Sequence, residues 1–475
     1  MPVLDDMAGI RVARIAAIAG VLAAIVAALL VVPADASAVD HRSGPRSAST
    51  RADEPNVLII LTDDQRADLM KFMPRTKRLF GDRGVKFTRA FATTPLCCPF
   101  RASLMTGQFA HNSGVRRQED GPRINQEHTM QRYLHEAGYT TAFLGKYLNH
   151  WPKQNPPPYF DRFSVGKLYK DRVFHVDGRM KEIKRYAPDY LASRASRLLR
   201  KFETDDERPW FMLLAPSNPH VPSTPAPRHK DVHIPRWQGN PAAKEKDLSD
   251  KPPMLYRGSI PSKATPRRVL YGKMARNLLA ADQLVNQVDR TMRSLGERSH
   301  TLAFFVSDSG YTLGEHGLVK KNKPYPVVSR VPLYMRWPRG PVEGGVRDRR
   351  LVANIDILPT VLEAAGLSPV NGHTIDGRSL QSTPARSRML VEAFASSGAH
   401  FWASLITDDQ QYTEYYQLDG ETRAFTEYYD VLRDPWRLTN TLGDDDPRND
   451  PDRLTVRGLS DQLEADRDCA GSNCP

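Results

Sequence analysis

The sequence predicts a three-layer α/β/α domain with a largely parallel sheet, and a smaller C-terminal subdomain with an antiparallel sheet. Four short, almost wholly apolar runs are typical of strands buried on both faces of a sheet. Stretches with helical spacing of apolar residues lie between these runs, and this alternation favours a parallel sheet between layers of helices. After about Met389 the pattern changes to short β-type runs separated by polar turns, which predicts the antiparallel subdomain.

Each of the four apolar runs ends in polar residues that are capable of chemistry. Because ligands of parallel α/β sheets bind beyond the carboxyl ends of the strands, we expect these polar residues to mark one site. The runs and the residues after them are 57–61 with Asp63 and Asp64, 140–144 with Lys146, 210–215 with His220, and 302–306 with Asp308 and Ser309.

Between the runs, three segments have the spacing of helices: 73–84, 127–137 and 268–295. A further short helix is predicted over 101–106, with Pro99 in its first turn and Cys97 just before it. The segment 222–266 is rich in proline and charge and has little apolar periodicity. Insertions of this length are usually functional rims or mobile excursions.

The composition favours an anionic ligand. The chain has 475 residues with 67 Lys and Arg against 55 Asp and Glu, which gives a net charge of +12. Such a surplus bears on binding partners and not on fold. The sequence has no zinc-finger spacing, no aromatic RNA-binding signature and no basic low-complexity tail. We therefore expect no nucleic-acid partner.

The N-terminus has the features of a secretory signal. Arg11 and Arg14 precede the apolar run 15–32, and the sequence 36–38, "ASA", fits a signal-peptidase site. These features predict a Sec-type signal peptide over 1–38, a flexible spacer over 39–54, and a protein that is secreted or held in the cell envelope. If the run is not cleaved, it is long enough to anchor the chain in a membrane.

The four cysteines fall into two pairs. Cys469 and Cys474 lie five positions apart near the C-terminus, and in an oxidising compartment we expect them to form a disulfide. Cys97 and Cys98 are adjacent, which rarely permits a mutual disulfide. Two interpretations of this pair stay open on the residues alone: buried inert thiols, or a reactive thiol at a helix N-terminus with His220 as its base.

The segment 97–108, "CCPFRASLMTGQ", resembles the signature of the type I sulfatases, Cys-x-Pro-x-Arg followed by a short spacer and Thr-Gly. The resemblance extends over nearly the whole chain after the signal, and "GKYLN" at 145–149 resembles the N-acetylglucosamine-6-sulfatase group. It implies an alkaline-phosphatase-like sandwich, with a catalytic domain over 55–388 and a C-terminal subdomain and tail over 389–475.

The resemblance also implies the chemistry. In that family a separate formylglycine-generating enzyme oxidises the first cysteine of the motif to formylglycine. Its hydrated aldehyde attacks the sulfate ester, so Cys97 would be the precursor and Cys98 would occupy a variable position. One calcium ion is implied, held by Asp63, Asp64, Asp308 and Ser309. The residues implied to bind sulfate or to move protons are Arg101, Lys146, His220 and Lys321, with Lys320 and Lys323 as close rivals of Lys321.

The expected activity is therefore hydrolysis of a sulfated small molecule or glycan. Four positions depart from the common family pattern: Phe100 replaces a serine, Leu148 a histidine, Ser309 an asparagine and Pro326 a glutamate. Two alternatives follow from the same residues. One is a phosphate monoester or phosphonate hydrolase with the same architecture, and the other is a non-catalytic pseudo-sulfatase that binds sulfated glycan.

Overall fold

The structure is a computed structural model that describes residues 54–169, 172–204, 208–256, 267–341, 343–381, 384–395 and 400–475. The predicted signal peptide and nearly all of the predicted spacer lie outside these residues. Within the described part of the chain, no helix is both long enough and apolar enough to cross a membrane.

Sixteen strands form the sheets of the described residues. They are β1 Asn56–Thr62, β2 Val85–Phe91, β3 Thr140–Gly145, β4 Arg162–Val165, β5 Arg172–Val176, β6 Arg179–Ile183, β7 Trp210–Ala215, β8 Thr301–Ser307, β9 Thr312–Leu313, β10 Val319–Lys320, β11 Leu333–Arg336, β12 Val346–Ala353, β13 Met389–Ala393, β14 Phe401–Ile406, β15 Gln410–Tyr416 and β16 Arg423–Asp430.

The main sheet has ten strands in the order β12-β2-β11-β8-β1-β7-β3-β4-β5-β6. Its centre, from β8 to β4, is parallel, and only β5 and β11 run against the other strands of this sheet. The four predicted strands correspond to β1, β3, β7 and β8. Their apolar runs are buried because helices cover both faces of the sheet. The prediction of a largely parallel sheet in a three-layer fold is confirmed.

In the part of the chain that the structure describes, ten α-helices accompany the sheets. They are α1 Pro74–Thr76, α2 Cys97–Thr106, α3 Ala110–Ser113, α4 Met130–Glu136, α5 Ala187–Phe202, α6 Pro241–Lys244, α7 Arg267–Leu295, α8 Pro326–Ser329, α9 Ile357–Ala364 and α10 Arg453–Arg467. Shorter 3₁₀ turns cover Ala67–Phe72, Gln118–Arg123, Gln126–His128, Pro227–His229, Pro253–Leu255, Glu315–Gly317, Asn354–Asp356 and Gly471–Asn473, and a π turn covers Lys77–Gly81.

The helix predictions were right in place but differ in detail. The segment predicted over 73–84 divides into α1 and the π turn, and that over 127–137 into a 3₁₀ turn and α4. The largest difference concerns α2, which begins at Cys97 and not at Arg101, so that Pro99 is its third residue. Backbone N–H groups of the first turn have no partner inside a helix, so proline is tolerated there.

The C-terminal part forms a separate antiparallel sheet in the order β13-β14-β15-β16, as predicted. Its core joins residues of the sheet to Cys469 and Cys474, which form the expected disulfide. Cys97 and Cys98 are both free and buried. The division of the chain at Met389 coincides with the start of β13, and we keep it as a proposal for the subdomain boundary.

Candidate active site

The polar residues at the ends of four strands meet at one edge of the main sheet. Strands β8, β1, β7 and β3 are parallel neighbours in that order, so their carboxyl ends lie side by side. Asp63 and Asp64 follow β1, and Asp308 follows β8. Lys146 follows β3, and its Nζ lies 2.6 Å from Asp63 Oδ2. The structure thus joins residues that are far apart in sequence.

Three buried carboxylates form the centre of this site. One oxygen from each of Asp63, Asp64 and Asp308 lies together with Cys97 Sγ, all within 4.8 Å of one another. The turn after β1 is held in place because the Asp64 backbone N–H donates to Asp308 Oδ1 at 3.0 Å. Asp64 has a positive φ of 61°, a conformation that aspartate tolerates better than most residues. Its Oδ2 is buried, and no described residue donates a hydrogen bond to it.

Three cations surround the carboxylates. Arg101 donates from Nε and Nη2 to Asp308 Oδ2 at 3.0 and 2.8 Å. Lys146 is paired with Asp63, and Lys321 Nζ contacts Asp64 Oδ1. The loop after β10 therefore places Lys321 in the site, whereas Lys320 and Lys323 make no ion pair with these carboxylates in the described residues.

The charges perturb one another strongly. Burial opposes the charge of Asp63, yet the surrounding cations, Lys146 first, hold the pKa of Asp63 well below its usual value. Burial and then the negative charge of Asp63 raise the pKa of Asp308. Burial disfavours the charged form of Lys321, but Asp64 and the other anions raise the pKa of Lys321 well above its usual value. Strongly perturbed groups in one cluster are typical of functional sites.

Cys97 is in contact with both signs of charge. Its Sγ lies 3.3 Å from Asp63 Oδ1 and 2.7 Å from Lys321 Nζ. Burial, followed by the charges of Asp308 and Asp63, raises the pKa of Cys97 to about 12, so an unmodified Cys97 is a neutral thiol at pH 7. This environment argues against Cys97 as a thiolate nucleophile.

Cys98 takes no part in the cluster. Its backbone N–H donates to Gln118 Oε1 at 3.1 Å, and its Sγ lies 3.9 Å from the carbonyl oxygen of Asn149. The two adjacent cysteines thus point to different surroundings, and only Cys97 faces the carboxylates.

His220 lies at the more open side of the cluster. Its side chain is 27% exposed, and its Nε2 lies 3.7 Å from Asp64 Oδ2. Its Nδ1 lies 2.6 Å from the carbonyl oxygen of Val221. Because a carbonyl only accepts, this contact assigns the hydrogen to Nδ1 and leaves Nε2 directed at the site.

The departures from the sulfatase pattern have different surroundings. Ser309 Oγ donates to Asp64 Oδ1 at 3.1 Å, so this residue reaches the carboxylate cluster. Phe100 and Leu148 are buried in the core on one face of the main sheet. Pro326 is the first residue of α8, directly after Tyr325.

The carboxylate cluster fits a hard divalent cation. Such ions prefer several carboxylate oxygens, and Asp63, Asp64 and Asp308 bring theirs together. The unpartnered Asp64 Oδ2 is the feature that the protein's own hydrogen bonds do not explain, because buried carboxylate oxygens are rarely left without a partner. A cation would satisfy it.

Two groups of supporting residues were missed at the level of sequence. Buried Arg66 donates to Glu315 Oε1 at 2.7 Å and to the Tyr311 carbonyl at 2.9 Å, and so ties the segment after β1 to the segment after β8. The run "TDDQR" offered a signal, since Arg66 continues the polar residues after a buried strand. No sequence signal indicated Glu427, which accepts a hydrogen bond from Tyr325, because it lies within an ordinary alternating strand.

Comparison with known proteins agrees with this geometry. Residues 55–367 match the sequence model of the sulfatase family, and residues 314–457 match a model described as N-sulphoglucosamine sulphohydrolase, C-terminal. The extracellular sulfatase SULF-1 homolog of Drosophila melanogaster is 32% identical over 362 residues, covering 70% of this chain but 32% of that protein. The chain thus spans about a third of that relative. N-acetylglucosamine-6-sulfatase of Homo sapiens is 26% identical over 497 residues, covering 90% of this chain and 87% of that protein.

Solved structures have the same fold. A protein in complex with its substrate D-glucosamine-2-N,6-O-disulfate has a TM-score of 0.71 at 23% identity, covering 86% of this chain and 97% of that one. The phosphonate monoester hydrolase of Agrobacterium radiobacter has a TM-score of 0.67 at 20% identity, covering 86% and 95%. At these identities the likeness shows the fold alone, and it confirms the predicted alkaline-phosphatase-like architecture.

Proposed function

Because the chain belongs to the sulfatase family, we propose that it hydrolyses sulfate esters at the cluster around Cys97. The observation that carries this proposal is the position of Cys97 Sγ, within 4.8 Å of oxygens from three buried carboxylates and in contact with Lys321. Cys97 is fully buried, faces charged groups on several sides and, unlike Cys98, is not part of the apolar core on that face of the sheet. It has a role if a maturation enzyme converts it to formylglycine.

A formylglycine at position 97 would supply, as a hydrated aldehyde, a hydroxyl nucleophile for the sulfate ester. Asp63, Asp64 and Asp308, with Ser309 beside them, would hold a calcium ion, which would supply positive charge next to the sulfate group. Arg101, fixed by its two hydrogen bonds to Asp308, orients that carboxylate and adds positive charge beside position 97. Lys146 and Lys321 carry ammonium groups into the cluster and bind sulfate oxygens, where fixed cations stabilise charge that spreads in the transition state.

In this proposal His220 acts as the imidazolium, which carries hydrogen on both ring nitrogens: it gives the Nε2 proton to the oxygen of the leaving alcohol and becomes the neutral imidazole with hydrogen on Nδ1. Its Nδ1–H is held by the Val221 carbonyl, so Nε2 is the atom available to the substrate. Its partial exposure places it where an alcohol would leave toward solvent. A positioned imidazole of this kind contributes about 10²–10⁴-fold to a rate.

A 6-O-sulfated glucosamine is the substrate class that we propose. The name of the human relative and the bound substrate of the structural neighbour both refer to such a unit. We also infer export of the protein, because curated relatives include extracellular sulfatases and the N-terminal sequence has the features of a signal peptide. Formation of formylglycine then requires a transient encounter with a formylglycine-generating enzyme.

A second candidate function is hydrolysis of phosphonate or phosphate monoesters, which the fold likeness to a phosphonate monoester hydrolase favours. The two functions differ in the anion at the cluster. Comparison of kcat/KM for p-nitrophenyl sulfate and for p-nitrophenyl phenylphosphonate separates them. We expect the sulfate to be preferred.

The test of the proposal uses the two adjacent cysteines as matched variants. Cys97→Ala should abolish hydrolysis of p-nitrophenyl sulfate, while Cys98→Ala should retain most of it, because only Cys97 faces the carboxylates. Both variants must show the thermal unfolding of a folded protein. Equal loss of activity in the two folded variants would contradict the proposal. Undetectable activity in the parent protein after maturation would favour a non-catalytic binder of sulfated glycan.

A further inference from the structure

A cavity of about 850 Å³, separate from the catalytic cluster, lies on the side of the main sheet that α7 covers. Its walls come from β2, from β11, from the 3₁₀ turn after Arg66, from the loop 235–240 and from the segment that begins α8. None of the candidate catalytic residues lines it. Its volume is in the range of small-molecule sites, about 300–1,000 Å³.

The lining is strongly basic. Among the described residues that line the cavity, Asp68 is the only acid. Five lining residues are cations: Arg66, Lys71, Lys86, Arg236 and Arg330. Asp68 is already neutralised, because Arg66 donates to both of its oxygens at 2.9 and 3.1 Å. The other four cations have no carboxylate partner in the described residues. The cavity therefore carries a net positive charge that the protein itself does not compensate.

Lys86 is a cation of the lining that has further positive charges near it. It lies half-buried in β2, with its side chain toward the cavity. Burial, and then the positive charges of Arg347, Lys77 and Arg330, lower the pKa of Lys86. These three charges have the same sign, and Arg330 is the one among them that also lines the cavity. A bound anion would relieve this repulsion, and clefts lined by one sign of charge concentrate ligands of the opposite sign.

Aromatic rings form the rest of the lining. The indole of Trp237 stacks on the ring of Tyr271, with centroids 5.9 Å apart and planes 22° apart. Trp436 also lines the cavity and is 38% exposed, which is unusual for so large an apolar side chain. Flat aromatic faces beside hydrogen-bonding side chains such as Gln238 and Asn240 suit a ligand with apolar ring faces and polar edges.

We propose that this cavity binds an anionic saccharide, with sulfate or carboxylate groups against Lys86 and Arg330 and a sugar ring against Trp436. The ring of Trp237 is already in contact with Tyr271 and with the guanidinium of Arg66. The inference goes beyond the proposed hydrolysis and does not require it, because the cavity shares no residue with the catalytic cluster. A simple inorganic anion would make use of the cations but not of the exposed tryptophan.

Isothermal titration of the full chain with sucrose octasulfate tests the proposal, with unsulfated sucrose and inorganic sulfate as comparison ligands. The Cys97→Ala background removes turnover. We expect Lys86→Gln and Trp436→Ala each to weaken binding of sucrose octasulfate about tenfold, a loss of about 1.4 kcal/mol. Arg236→Gln, on an exposed loop, should weaken binding of sucrose octasulfate by a smaller factor. This variant replaces Lys86→Gln in the test if Lys86→Gln does not fold. The matched control is Lys181→Gln, which removes one exposed lysine from β6 at the opposite edge of the same sheet.

Unchanged affinity in Lys86→Gln, Arg236→Gln and Trp436→Ala would overturn the proposal. Equal binding of sucrose and sucrose octasulfate would overturn the assignment of an anionic ligand, and inorganic sulfate that binds as tightly would overturn the assignment of a saccharide. With Cys97 intact, Lys86→Gln should hydrolyse p-nitrophenyl sulfate at the parental rate. A failure of the cavity proposal is thus distinct from a failure of the proposed catalysis.

Discussion

Two buried clusters in this protein differ in the groups that surround their carboxylates. In the C-terminal sheet, Glu427 accepts hydrogen bonds from Tyr325, Tyr415 and Tyr429 at 2.8, 2.6 and 2.6 Å. Both of its oxygens have donors, and no cation forms an ion pair with it in the described residues. At the edge of the main sheet, three carboxylates face three cations, and no group of the described residues donates a hydrogen bond to Asp64 Oδ2.

The difference separates a structural cluster from a functional one. Burial raises the pKa of Glu427 even though the phenols act to lower it, and neutral donors suffice to satisfy the group. The cluster at Cys97 instead concentrates charge and leaves an acceptor unused, which costs stability unless a ligand occupies it. The unsatisfied Asp64 Oδ2, beside two further carboxylates and Cys97, thus supports a ligand at this cluster.

The two clusters are connected through one loop. Tyr325, which binds Glu427, follows Lys321 by four residues and stacks on His316 with ring centroids 4.0 Å apart. The C-terminal sheet thus anchors the segment that carries Lys321 into the site. We infer that Tyr325 is a positioning residue, which acts on the reaction only through Lys321.

The largest effect is expected from Asp308→Asn. This change removes one carboxylate of the cation site and weakens the partner of Arg101, so kcat/KM for a sulfate ester should fall about 10²–10³-fold. The matched control is Asp356→Asn, since Asp356 is equally buried and is paired with Arg386 Nη1 at 2.6 Å outside the site. It should lower the melting temperature and leave kcat/KM of the folded enzyme nearly unchanged. Similar losses of activity in both variants would break the distinction between the clusters.

A smaller effect is expected from substitution of two tyrosines that donate hydrogen bonds to the same carboxylate, that of Glu427. Tyr325→Phe and Tyr429→Phe each remove one phenol donor to Glu427 Oε1, so each should cost about 0.5–1.5 kcal/mol in the free energy of unfolding. Only Tyr325 belongs to the loop of Lys321, so only Tyr325→Phe should also lower kcat/KM, by several-fold. Urea unfolding and steady-state kinetics on both variants measure the two effects. Equal kinetics in both variants would remove the proposed connection between the clusters.

Most residues of the functional cluster could be predicted from the sequence, whereas most of the structural cluster around Glu427 could not. Asp63, Lys146 and Asp308 could be predicted because each follows an apolar run, and parallel strands bring such ends together. The cluster around Glu427 could not be predicted, since the contact with Tyr415 depends on the pairing register of β15 with β16 and the contact with Tyr325 depends on a distant loop. The start of α2 was misplaced by four residues because proline is tolerated throughout the first turn, so Pro99 does not identify the first helical residue.

The smallest effect is expected at Ser309, where the sulfatase pattern has asparagine. Ser309 Oγ contacts Asp64 Oδ1 at 3.1 Å, so the residue lies beside the unpartnered carboxylate oxygen of Asp64. Ser309→Asn offers a carbonyl oxygen that reaches further than a hydroxyl, and calcium accepts such ligands at roughly 2.3–2.6 Å. Activity measured against free calcium after chelation should show tighter calcium dependence with turnover preserved or raised. No change in the calcium dependence would place Ser309 outside the cation's ligands.

The central claim is that Cys97, and not its neighbour, is converted to formylglycine. Mass spectrometry of the tryptic peptide Ala90–Arg101, from protein produced in the native host, tests this directly. The account predicts an aldehyde at position 97 and an intact thiol at Cys98, because only Cys97 lies among the catalytic carboxylates and has Pro99 and Arg101 at the spacing of the motif. A peptide with unmodified thiols at both positions would contradict it.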